Sequence, residues 1–162
     1  MRWLALPLVL CSFVLFGCPD DSKDGSTCND YSPPASFDAQ NPQVSFSKDV
    51  MPIFKGSCAF TSCHGLQGSN NGVFLGESGG PAAVHQSLLN KKADKLPSMD
   101  VVKPSDPSQS FLMKKIDGSA CTLNAQCVGG TCGDSMPRQE EIMPVETRDI
   151  IRRWIAQGAK ND

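Results

Sequence analysis

The stretch Cys58-Ala59-Phe60-Thr61-Ser62-Cys63-His64 limits what this chain can become more than any other. Two thiols followed at once by an imidazole are the set that covalent haem attachment uses. Each sulfur can add to one porphyrin vinyl group, and the histidine after the second sulfur lies where it can take an axial position on the iron. Attachment motifs usually place two residues between the cysteines; here there are four. The expected cofactor is one covalent haem c on Cys58, Cys63 and His64.

Two other readings of the pair stay open. After removal of a leader, Cys28, Cys58, Cys63, Cys121, Cys127 and Cys132 could form three disulfides, or two once haem takes a pair, so the count favours neither. Side chains five residues apart on a regular helix point to different sides, so a direct Cys58–Cys63 bridge needs a loop. Zinc is the other reading, because Cys58-x4-Cys63 and Cys127-x4-Cys132 both have ligand-pair spacing. Eight cysteines in 162 residues indicate an oxidising compartment, where such pairs are more often disulfides than zinc ligands.

Residues 1–18 carry one positive charge, then an apolar run over 4–16, then Gly17-Cys18. That is the form of an export signal, and the run is too short to span a bilayer comfortably. Leu15-Phe16-Gly17-Cys18 resembles the lipobox of bacterial lipoproteins. The resemblance implies cleavage before Cys18 and lipid on its sulfur, which would anchor the protein to a membrane, facing the periplasm or the cell surface. Several acyl chains would make that anchor stable. Residues 19–43 are polar and rich in Asp, Ser and Pro. They hold too little apolar surface to offset ordering entropy and read as a disordered linker, with Cys28 able to pin part of it to the domain. A net charge of −2 offers no basic field for nucleic acid.

Residues 44–162 read as a mainly α domain. Fourteen glycines and twelve prolines in the chain favour about four short helices joined by long loops. Phe46, Val50, Ile53 and Phe54 share one helical face, with Asp49 as N-cap and Pro52 in the first turn. This helix delivers Cys58 to the core. Residues 66–81 form a glycine-rich loop. A helix over 81–92 presents Val84, Leu88 and Leu89, and residues 96–107 are extended or turning. A helix over 108–116 presents Phe111, Leu112 and Ile116, and Asp117-Gly118 ends it. Residues 119–134 carry Cys121, Cys127 and Cys132 and read as a disulfide-stapled insert. The clearest amphipathic helix spans 144–159, with Ile150, Ile151, Trp154 and Ile155 as its stripe and Arg148, Arg152 and Arg153 off it. It is expected to pack across the first helix.

The order of these parts resembles the small class I-type c cytochrome domain of exported bacterial proteins. The matches are VSFSKDVMPIF, Cys63-His64-Gly65, the Val102-Lys103-Pro104-Ser105-Asp106-Pro107 turn before SFLMKKI, Met136-Pro137, and the closing IIRRWIAQGA. They span nearly all of residues 44–162. The resemblance implies thioether bonds at Cys58 and Cys63, His64 as proximal ligand and Met136 as distal ligand. Met143 and His85 remain alternatives to Met136. With both axial positions filled, the iron would have no open site for substrate. An electron carrier that meets a redox partner protein is therefore expected rather than a catalyst. The alternative function is a haem-free, disulfide-stapled surface lipoprotein acting as an interaction module.

Overall fold

A computed structural model describes residues 28, 29, 31–68 and 70–162 of the chain. The export signal of residues 1–18, the lipidation site Cys18 and the first part of the linker lie outside the described residues.

The fold is mainly α. A π-helical turn, Phe46–Val50, runs directly into α1, Met51–Ser57; α2 is Gly80–Leu88, α3 is Phe111–Ile116 and α4 is Val145–Ala156. Short 3-10 turns occupy Asn70–Gly72, Pro107–Gln109, Ala120–Gln126 and Val128–Gly130. Between α2 and α3 lies a small antiparallel hairpin, β1 (Lys92–Ala93) and β2 (Leu96–Asp100), with Lys92 opposite Asp100 and Ala93 opposite Leu96. Among the described residues no helix is long and apolar enough to cross a membrane.

The entry to α1 shows how the sequence sets local structure. Ser45, not Asp49, is the N-cap: its hydroxyl accepts from the Lys48 amide at 3.3 Å. Asp49 reaches back to accept from the Ser45 amide at 2.8 Å, so the two residues satisfy each other's end of the turn. Pro52 sits at the start of α1, where its missing N–H costs no intrahelical bond.

The core forms where this N-terminal turn meets α4. Phe46 and Trp154 stack with centroids 4.9 Å apart, and both are buried. Val50, Phe54, Val84, Leu88, Ile151 and Ile155 pack in the same cluster. In α3 the buried residues are Phe111, Met113 and Ile116, whereas Leu112 is only partly buried. Arg148 and Arg152, expected off the apolar stripe of α4, are buried. Their guanidiniums meet the buried carboxylate of Asp117 at the end of α3, and Arg152 also donates to Asp149 at 2.9 Å. Sequence periodicity places charged residues in solvent, but an acid on another helix changes that placement.

Disulfides join Cys28 to Cys121 and Cys127 to Cys132. Beyond Cys28, the described part of the polar linker lies along α4. Arg148 stands over the Tyr31 ring at 4.5 Å and Arg153 over the Phe37 ring at 4.7 Å. Gln157 donates to the carbonyls of Ala39 and Pro42, at 3.2 and 3.0 Å. Few apolar residues are needed here, because two aromatic rings face guanidiniums and the backbone carbonyls find donors.

Candidate functional site

Helix α1 ends on Cys58, whose amide donates to the Phe54 carbonyl at 2.8 Å. The chain then turns back on itself. The His64 amide donates to the Cys58 carbonyl at 3.1 Å, and the Cys63 and Gly65 amides donate to the Phe60 carbonyl at 2.8 and 2.9 Å. The four residues between the cysteines therefore form a closed loop rather than more helix. That loop returns the backbone of His64 to Cys58. Burial pushes the Cys58 thiol up to about 11, and the charge of a Cys63 thiolate adds to the effect, as expected for two sulfurs sharing one neighbourhood. Among the described residues the disulfides are made by other cysteines, and Cys58 and Cys63 are not bonded to each other.

His64 is half-buried and its ring is held from one side. Nδ1 lies 2.9 Å from the carbonyl oxygen of Val73. A carbonyl can only accept, so Nδ1 carries the proton and the lone pair falls to Nε2. Histidines that bind metals are oriented in this way: one ring nitrogen donates to a fixed acceptor and the other is left to the metal. The segment bearing Val73 makes a second bond to the same residue, from the Leu75 amide to the His64 carbonyl at 2.8 Å. Two glycines let the strands of this site approach. A Cβ at Gly65 would collide with the Ala59 carbonyl oxygen, and one at Gly76 with the Gly65 carbonyl oxygen. Asn70 adds a side-chain bond to the Cys63 carbonyl.

The backbones of Cys58 and His64 are thus tied into one turn, while among the described residues no three His, Cys, Asp or Glu side chains are grouped to hold a metal ion. Met136 sits elsewhere along the chain's path, before a cis bond to Pro137. Its amide donates to the Lys115 carbonyl at the end of α3 at 2.9 Å, and its side chain packs partly buried against the core. Met143 is buried beside the ion cluster, its carbonyl accepting from Arg148 Nε at 2.9 Å. His85 has its Nε2 2.7 Å from the Ala159 carbonyl and packs edge-on against Phe46 and Trp154. It serves the junction of α2 with the end of α4. The two-pair zinc arrangement loses Cys127 and Cys132 to their disulfide.

The residue types are those that covalent haem attachment uses: two thiols outside the described disulfides and an imidazole whose Nδ1 faces a carbonyl. Sequence reasoning did not find Val73, because an acceptor supplied by the backbone leaves no residue-type signature. The glycine-rich composition of residues 66–81 was the only pointer to a chain that must pass close to the motif. No protein-family model, curated protein or solved structure matches the chain.

Proposed function

We propose that this protein is an extracytoplasmic c-type cytochrome, tethered to a bacterial membrane by lipid on Cys18, that passes electrons to and from a redox partner protein. The observation that carries the reading is the His64 bond to the Val73 carbonyl, which leaves the lone pair on Nε2 of the residue that follows Cys63. Haem c, when bound, supplies one-electron iron chemistry. Cys58 and Cys63 would hold it by thioether bonds, and His64 would ligate its iron. Met136 would supply a further ligand, and a thioether ligand favours the reduced state relative to a second imidazole. The Val73 carbonyl opposes rotation of the imidazole.

The test is spectroscopic. Made in a host competent in haem ligation, the protein is expected to show a low-spin c-type spectrum. Met136→Ala is expected to turn it high-spin; a spectrum that stays low-spin removes Met136 from the ligand set.

One observation favours a second reading. The Cys28–Cys121 and Cys127–Cys132 bridges already staple the linker and the insert without any cofactor. A haem-free, disulfide-stapled surface module would use those staples alone. A colourless product from the same host selects this reading.

A further inference from the structure

The backbone that faces His64 is itself clamped from behind by one side chain on α2. The Phe74 amide donates to Ser87 Oγ at 3.2 Å, and the Phe74 carbonyl lies 2.6 Å from the same hydroxyl. Ser87 Oγ also lies 2.8 Å from the Val84 carbonyl, one turn earlier in its own helix. A hydroxyl has one proton and two lone pairs, so it can accept from Phe74 while donating to either carbonyl. Phe74 thus has its amide on Ser87, while its carbonyl shares the one hydroxyl proton with that of Val84. Its neighbours have theirs on His64: the Val73 carbonyl on Nδ1 and the Leu75 amide on the His64 carbonyl. Helix α2 is a firm base for such a clamp, because Val84 and Leu88 on either side of Ser87 are fully buried.

We infer that Ser87 is a positioning residue for the His64 imidazole, acting through residues 73–75. The inference rests on the haem reading for its functional meaning, since a positioned imidazole matters most as an iron ligand. Its geometric content does not depend on that reading. Without the hydroxyl, the Phe74 amide loses its partner and its carbonyl a shared one, the tie of residues 73–75 to α2 weakens, and the Val73 carbonyl can drift from Nδ1.

The test follows the Nδ1 proton of His64 by NMR in the protein as purified, comparing wild type, Ser87→Ala and Ser87→Thr. Threonine keeps the hydroxyl. Ser87 borders an open cleft that it shares with Gln67, Gly72 and Ala83, which gives the added methyl room. Ser87→Ala is expected to speed exchange of that proton with solvent by roughly tenfold, with helical content unchanged, and Ser87→Thr to restore the slow rate. In haem-loaded protein, Ser87→Ala is also expected to raise the midpoint potential, because an imidazole that has lost its Nδ1 hydrogen bond stabilises ferric iron less. Wild-type exchange in Ser87→Ala overturns the inference. So does failure of threonine to rescue, or an unchanged potential in loaded protein. Wild-type protein that carries no attached haem fails the haem reading instead and leaves the exchange measurement decisive, since the proton belongs to the imidazole in either case.

Discussion

Asp117, at the end of α3, accepts two hydrogen bonds from Arg152 Nη2 on α4, at 2.9 and 3.1 Å, with both side chains almost wholly buried. Arg148 donates to the same carboxylate and to the Met143 carbonyl. One acid therefore serves two guanidiniums, and Arg152 alone has further help from Asp149. Asp117→Ala would leave Arg148 buried without an anion. The expected loss of stability is about 3–5 kcal/mol in urea denaturation, well beyond the value of an exposed pair. A loss below about 1 kcal/mol would mean that the cluster is solvated in the folded protein.

The Cys28–Cys121 bridge closes a long stretch of chain, its cysteines lying 93 positions apart in sequence. It also pins the strap that carries Tyr31 and Phe37 to the arginines of α4. Replacing both cysteines by serine is expected to cost about 2–4 kcal/mol. Limited proteolysis should then cut first within residues 31–43, because ring–guanidinium contacts and a few backbone bonds are all that remain to hold the strap. Equal resistance in both forms would show that α4 retains the strap unaided.

The Cys58 thiol gives a pH dependence in protein that carries both thiols and no haem. Its folded value, about 11, lies above the roughly 8.5 of an unfolded cysteine. Burial is the main cause and a Cys63 thiolate the second. The unfolded chain then loses its proton first. The stability tied to the neutral thiol is fully present below about pH 8.5 and is lost as pH rises toward 11, by an amount on the order of 3 kcal/mol. Denaturation midpoints taken across that window should fall. Attachment through sulfur removes the titration, so haem-loaded protein should lack this decline.

The parts of the fold that were legible in the sequence are those written in repeating apolar residues. Val84 and Leu88 mark α2, and Ile151, Trp154 and Ile155 mark the buried side of α4, because side-chain period follows helical period. The position of α1 before Cys58 was legible for the same reason. What escaped was set by partners far off in sequence. Arg148 and Arg152 look like solvent-facing residues until Asp117 is brought to them from α3. The strap over 31–43 looks too polar to order, yet Tyr31 and Phe37 need only guanidiniums to lie against. Hairpin β1–β2 is short and contains Pro97, so it carries little strand signal. At the candidate site the thiols and imidazole were visible as residue types. The Val73 carbonyl that orients His64, and the Ser87 hydroxyl behind it, were not, since any residue can supply a carbonyl and a lone serine on a helix signals nothing.

The most direct test of the central claim is to locate the haem on the chain. Protein from a host competent in haem ligation is extracted with acid to strip any unattached porphyrin, reduced and alkylated, then digested with trypsin and weighed. Cleavage after Lys55 and Lys91 yields one peptide, residues 56–91, that holds Cys58, Cys63 and His64 together. The account predicts that this peptide carries the mass of one haem and takes up no alkylating agent. A colourless 56–91 peptide with both cysteines alkylated would contradict it.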